Sequence, residues 1–423
     1  MNSNIEAVNG QHAHNSQLVR SVTRIVGLAL TIRLLCGTAT AGMIGDYAIL
    51  AGHQVNFTSS MNVFNAPLAR IGSNGDINFA SAATIRMTNV EAAGSLLGNP
   101  SFLNVQNNLM INGNVQFGGQ STVQGSGDVG GTAIVNFNAT VQGNLTATGD
   151  VTIGGKVSGN ASSNGSLTLT TFGAVGHNVS ANQNVVLGNS TSVGGNVTYG
   201  NQLTIGTFAT IGGTQAHATT IVTPAHYTPV AIVPDSFTTG GADITANQFD
   251  TKIIAPGHYG NLSINGATIK LSPGKYFFDS VTATSSFMTL DVDLSQPGNL
   301  EIFVKGNYDI PLQVVDVNGV DAASVNPQLA RRVFLESLGN IHIGWDNLGT
   351  LFAPAGDVNL DSLTKVWGAT IAGHDAVFGG GADLQFVPSN LFVPEPSSLV
   401  LLTVGGVAFA VWRTRRRVAR RIV

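Results

Sequence analysis

The sequence predicts an all-β fold: a triangular parallel β-solenoid with 18-residue coils of three hexads, flanked by a signal peptide and a short C-terminal transmembrane helix. Three observations carry that expectation. Glycine is abundant, at 52 of 423 residues, and charged residues are only 10 %, with Val, Ile and Leu spread evenly among Gly, Asn, Ser and Thr. That texture is one of many short strands joined by tight turns. Residues 178–195 (NVSANQ/NVVLGN/STSVGG) and 196–213 (NVTYGN/QLTIGT/FATIGG) repeat in sixes. Both chain ends carry a short apolar run beside arginines, which is the grammar of an address rather than of a fold.

Residues 1–41 read as a signal peptide. Arg20 and Arg24 precede the apolar run Ile25–Ile32, and Ala39-Thr40-Ala41 follows as an A-x-A cleavage site, with Ala39 and Ala41 as the small residues before the cut. The only cysteine, Cys36, falls inside this leader, so the processed protein is expected to have no thiol, disulfide or cysteine metal site. Residues 42–101 are read as an N-terminal β cap or partial coils.

Residues 102–213 are the regular solenoid. The register of sixes runs back through 138–155 (NATVQG/NLTATG/DVTIGG), 120–137 and 102–119, and the coil at 156–177 reads as having a first segment four residues longer than the rest, giving six coils. Positions two and four of each six are mostly aliphatic or small and face inward together, because alternate strand side chains point to opposite faces. Positions five and six are mostly Gly, Asn, Gln or Ser and turn the corners. At about 4.8 Å per coil, six coils span roughly 29 Å. On one face the fifth position reads Gln106, Gln124, Gln142, Asn160 and Asn182, an expected ladder of stacked amides along the axis.

Residues 214–259 break the pattern. Pro224, Pro229 and Pro234 disfavour a central strand, so the stretch reads as a linker or a loop laid over the solenoid. From 260 to 390 strands resume, and 357–386 falls into sixes again as DVNLDS/LTKVWG/ATIAGH/DAVFGG/GADLQF. Residues 391–423 hold Val393-Pro394-Glu395-Pro396, the apolar run Leu399–Trp412, and a cluster including Arg413, Arg415, Arg416 and Arg417. Fourteen helical residues reach about 21 Å, short of a hydrocarbon core of roughly 30 Å, which suits a temporary anchor with a cytoplasmic basic end.

Motif, apolar run and basic cluster together resemble the PEP-CTERM sorting signal. That resemblance implies export in a Gram-negative bacterium that makes extracellular polysaccharide, transient inner-membrane anchoring, and processing near Pro394-Glu395-Pro396 by an exosortase-type transpeptidase. The central coils resemble bactofilins, cytoskeletal polymers with a triangular solenoid of similar coil length; since those are cytoplasmic, the resemblance implies the fold alone. The stretches LSPGKYFFDSV and GTLFAPAGDVNL resemble β-solenoid domains of exported bacterial surface proteins.

Chemistry is sparse. Between Gly42 and Val393 the chain keeps 10 basic against 21 acidic residues, the wrong balance for nucleic acid. Residues 102–213 hold Asp128, Asp150 and Lys156 as their only charges, too few for the carboxylate clusters of polysaccharide lyases and hydrolases. In the second half Asp291 with Asp293, Asp357 with Asp361, and His374-Asp375 are candidates, each read as solvated polar surface; GGGADLQF is out of step with a calcium-binding nonapeptide. No catalytic residue, metal or cofactor is expected. The reading is a secreted, non-enzymatic structural or adhesive protein of the cell surface or exopolysaccharide matrix. Its partners would be the export machinery, the exosortase-like transpeptidase, extracellular polysaccharide and, end to end, further copies of itself. The alternatives are a carbohydrate-active β-helix with a site in 260–390, a self-polymerising solenoid, or an ice-binding one.

Overall fold

Short strands separated by corners wind the chain into one parallel β-solenoid with three faces in the computed structural model. It describes residues 44–58, 62–64, 70–80, 84–98, 102–283 and 287–390. These all lie in the larger of the chain's two units, Gly42–Val423. The expected leader and the expected terminal helix fall outside the described residues. Among the described residues no helix is long and apolar enough to cross a membrane.

The coil grammar is the one the sequence predicts. In Val151–Ile153, Leu167–Leu169 and Val185–Leu187 the outer two residues are buried and the middle one is half-buried. The core is a continuous column of such inward pairs. One boundary in the register differs. Thr140 pairs with Lys156 and Lys156 with Ala174, so one coil is 16 residues and the next is 18. The segment KVSGNASSNG is therefore two segments on different faces, Lys156–Val157 and Ala161–Ser163, with a corner two residues short. It is not one lengthened segment.

The order of coils is the unexpected feature. The first face is a sheet of 16 strands, and its middle holds the first of the described strands. The strand Tyr47–Ala51 pairs in parallel with Arg70–Ser73 on one side and with Thr370–Ala372 on the other. From there the chain winds outward to Gln215–His217 at one tip. Residues 218–243 then return as a strap, and winding restarts at the opposite tip with Ile244–Ala246, Thr251–Ile254 and Gly257–His258. It works back toward the middle and ends at Ala376–Phe378 and Asp383–Phe386, which pair with Val55–Phe57 and Asn62–Phe64. Counting first-face strands from the tip at Gly257–His258, Tyr47–Ala51 is the seventh of 16. The seventh coil is thus composite, begun by 376–386 and completed by 47–51.

Two expectations change accordingly. The described strands between Tyr47 and Gly98, expected as a cap or partial coils, lie at the centre of the rod, and the second run of coils starts at Ile244 and joins the first in a single rod. The seam is close-packed. Phe57 stacks between Phe79 and Phe378 with centroids 5.1 and 5.3 Å away. At the adjoining corner a Cβ on Gly52 would sit 1.9 Å from the carbonyl oxygen of Gly373, so only glycine allows that approach.

Candidate functional surfaces

The motif Val393, Pro394, Glu395 and Pro396, the cleavage residues Ala39 and Ala41, and the basic residues Arg413, Arg415, Arg416 and Arg417 lie outside the described residues. The amide ladder is inside them and is rearranged. Gln106, Gln124 and Gln142 follow the paired strand ends Val105, Val123 and Val141 and are exposed one above another. The short corner after Val157 shifts everything beyond it. Asn160 joins a different column, and Asn182 sits past a strand of the first face with its Oδ1 buried and unbonded among the described residues.

The column that Asn160 joins is a real ladder. It stands at the corner leading into the first face, through Asn108, Ser126, Asn144, Asn160, Asn178, Asn196 and Thr214. Each side-chain oxygen accepts from the backbone N–H of the next: Ser126 to Asn108 at 2.9 Å, Asn144 to Ser126 at 3.2 Å, Asn160 to Asn144 at 2.9 Å, Asn178 to Asn160 at 3.1 Å, and Asn196 to Asn178 at 2.8 Å. Thr214 closes it on Asn196 at 2.8 Å. Asn or Ser recurs in the first position of these hexads, and that was the available sequence signal. The ladder satisfies corner amides that no neighbouring strand reaches.

A second set of asparagines holds the strap. Asn164, Asn112 and Asn74 each take both backbone groups of one strap residue, the N–H on Oδ1 and the C=O on Nδ2. Val222 is held at 2.7 and 2.8 Å, Tyr227 at 2.9 and 2.8 Å, and Val230 at 2.9 and 2.8 Å. Beyond them the Asp235 N–H donates to Glu336 Oε1 at 2.8 Å, and the Thr238 carbonyl faces His258 Nδ1 at 2.9 Å. The strap thus runs down the first face from its outer coils to the opposite tip.

Under the strap is a second core, on the outside of the sheet. Tyr47, Leu50, Tyr227, Val230, Phe303, Phe334, Phe352 and Ile371 are all buried there. Phe277 stacks on Phe303 at 5.0 Å, and Phe237 of the strap packs on both. Polar groups are caught in this layer. The Tyr47 hydroxyl donates to Glu91 at 2.8 Å, and burial with the Glu91 charge pushes its pKa far up. Burial pushes Tyr227 up to about 12. Glu336 lies in register between Phe303 and Phe352, fully buried, and its Oε2 finds no hydrogen-bond partner among the described residues. Burial raises its pKa to about 7, against the Asp235 N–H, which lowers it.

The candidate acids of the second half have basic or backbone partners. Asp291 takes Lys270 Nζ at 2.8 Å and the Gly319 N–H at 2.9 Å, while Asp293 turns to Ser295. The two carboxylates, candidates read as solvated surface, are thus divided between separate partners. His342 bridges Asp309 at 2.8 Å and Asp361 at 3.1 Å, beside a cleft of about 280 Å³. Burial pulls this imidazole toward neutrality, but its bonds to the two carboxylates outweigh burial and hold its pKa above the usual value. His53 meets Asp375 at 2.8 Å across the seam. These constellations staple neighbouring coils. No group of three or more His, Cys, Asp or Glu among the described residues is arranged to hold a metal ion.

The two tips differ. At the 215–217 end, Leu203 and Ile211 are only half-buried and Ile205 is 46 % exposed, since no further coil covers these inward positions. At the other end Lys252 occupies the position that Ile269 fills one coil in, and Tyr259 stacks on Phe278 at 5.4 Å. An inward charge on a terminal strand discourages edge pairing, so this tip is guarded and the first is not.

With this geometry in hand, the similarities are informative. Residues 133–226 match the family model of the bactofilins, described as polymer-forming cytoskeletal, and span the regular coils from Ala133 onward and the start of the strap. No curated protein matches. Among solved structures, an ice binding protein from an Antarctic bacterium of the Flavobacteriaceae is 12 % identical, with 82 % of this chain and 98 % of that chain covered and a TM-score of 0.21. The C-terminal domain of a possible adhesin from Caldicellulosiruptor kronotskyensis is 11 % identical, covering 86 % and 98 %, with a TM-score of 0.22. At that level neither bears on function. Residues 392–417 match the PEP-CTERM protein-sorting motif, so this β-solenoid carries a bactofilin-type segment and a sorting tail in one chain.

Proposed function

We propose that the protein is an exported, non-enzymatic structural rod of the cell surface or extracellular matrix, parked at the inner membrane by Leu399–Trp412, processed near Pro394-Glu395-Pro396, and working by self-association and contact with polysaccharide. One observation carries this reading: a sorting motif at 392–417 follows directly on an uninterrupted parallel solenoid. Supporting it, the unguarded tip offers Leu203, Ile205 and Ile211 to a second copy, as polymer-forming relatives would require. Exposed Gln106, Gln124 and Gln142 offer amides to sugar hydroxyls. The candidate acids of 260–390 are tied to Lys270, His342 or backbone, which favours structure over glycan cleavage.

The test is the intact mass and location of the protein in its native host, with and without the gene for the transpeptidase. A chain ending near Pro396 and found outside the inner membrane only when that gene is present supports the reading. A full-length chain retained in the membrane in both strains refutes the sorting half of it. Filaments whose abundance rises with concentration test the self-association half.

A further inference from the structure

The composite coil fixes where the sorting tail leaves the rod. The C-terminal winding reaches the corner after Phe386, where the next place on the first face is already filled by Tyr47–Ala51. The chain is turned aside there. The Val387 N–H donates to the Gly368 carbonyl at 3.3 Å, and the Asn390 N–H to the Arg331 carbonyl at 3.1 Å. The N-terminal segment enters at the same corner, through Ile44–Asp46.

Distances then decide the geometry. With strands about 4.8 Å apart, the seventh of 16 coils is about 29 Å from one tip and about 43 Å from the other. Pro394 to Pro396 follow Asn390 by four to six residues, so even a fully extended chain carries them no more than about 14–22 Å from it. The processing bond is therefore tethered to the side of the rod.

We infer that the protein meets its processing enzyme by its flank. The corner between the third and first faces, at the composite coil, lies against the surface that bears the transpeptidase, and both tips point away along that surface. This rests on the sorting reading above. A rod held by its flank keeps the unguarded tip at Ile205 free to meet another copy while still attached, and such contacts run along the surface. A rod held by one tip would stand upright with that tip blocked.

The experiment uses the full chain with Cys36→Ser, which removes its only native cysteine, and Glu395→Cys labelled with a maleimide gold cluster. Single rods imaged by electron microscopy should show the cluster beside the rod, nearer one end, within about 18 Å of the exit corner. Asn201→Cys, at the unguarded tip, should place it at the end of the rod. A Glu395→Cys cluster found at either end overturns the inference. Processing is measured separately on the unaltered tail: an uncut tail in the native host removes the sorting reading, and with it the enzyme contact, while a cut tail with a cluster at a tip removes the flank geometry alone.

Discussion

Glu336→Gln should make the rod more stable at neutral pH, which is an unusual expectation for removing a hydrogen-bonded charge. Glu336 is fully buried between Phe303 and Phe352, one oxygen takes the Asp235 N–H, and the other has no partner among the described residues. The nearest charge in the strap is Asp235, itself acidic, and Lys275 in the adjoining column is taken by Glu301 at 2.9 Å. The pKa rises from 4.5 to about 7. The sign follows: a carboxyl raised on folding is held protonated by the folded state, so stability is full below about pH 4.5 and falls until the pH passes about 7. The loss over that window is on the order of 3 kcal/mol, at about 1.4 kcal/mol per pH unit. Glutamine keeps an acceptor for the Asp235 N–H and never ionises. The assay is urea unfolding followed by circular dichroism at pH 5 and pH 8, with hydrogen exchange of residues 231–239. The variant should lose most of the difference between the two pH values and protect the strap better at pH 8. A variant less stable than the parent at pH 8, or with the parent's full pH slope, would refute the reasoning.

Other perturbations probe the seam, the strap, the staples and the tip. Gly52→Ala places a Cβ 1.9 Å from the Gly373 carbonyl oxygen and should cost several kcal/mol, read as loss of exchange protection in 47–57 and 370–378 ahead of the outer coils. Replacing Asn74, Asn112 and Asn164 by Ala removes seven hydrogen bonds to the strap, six to its backbone and one to the Tyr227 hydroxyl, at about 1–2 kcal/mol per clamp, and should make residues 218–235 the first site of limited proteolysis. The stabilising effect of His342 is full below its ordinary pKa of 6.5 and is lost as the pH rises through its raised folded value; His342→Gln should flatten that fall in melting temperature above pH 6.5. Ile205→Asp should abolish the proposed concentration-dependent association, measured by sedimentation, while Ile253→Asp, an outward and exposed position at the other tip, should leave it intact.

The regular coils were legible because each hexad repeats one physical demand, two inward apolar side chains and a polar corner. Where that demand changes, the reading slips. KVSG is a shortened hexad, and adding it to NASSNG moved Asn160 and Asn182 into a column they do not share. The seam left no local mark, because Ile49 and Thr370 meet across most of the chain. Tyr47–Ala51 is buried throughout, core on one side and strap layer on the other, so its YAILA run has no alternation to read. The same signal recurs in Tyr276-Phe277-Phe278, Ile302-Phe303-Val304 and Phe334-Leu335. Runs of apolar residues mark strands covered on both faces, and they could have announced the second core.

The strap explains how a rod can be closed in its middle. A chain wound from the centre outward must carry its thread from one tip to the other before it can wind back. Val222 is clamped at the thirteenth coil and Thr238 reaches the first, 12 steps or about 58 Å at 4.8 Å each. Sixteen residues cover that distance at about 3.6 Å apiece, the limit for an extended chain. Such a segment has no slack for turns or helix, which suits prolines at 224, 229 and 234: they favour extended backbone and give up N–H groups that no sheet neighbour would have used. The length of the strap and the number of coils are therefore one quantity. Neither tip ends in a loose chain terminus among the described residues, since the chain runs from His217 into the strap and from the strap into Ile244. Fraying a terminal coil, the ordinary weakness of a solenoid, must here also pull on a strap held by three asparagines and an aromatic layer.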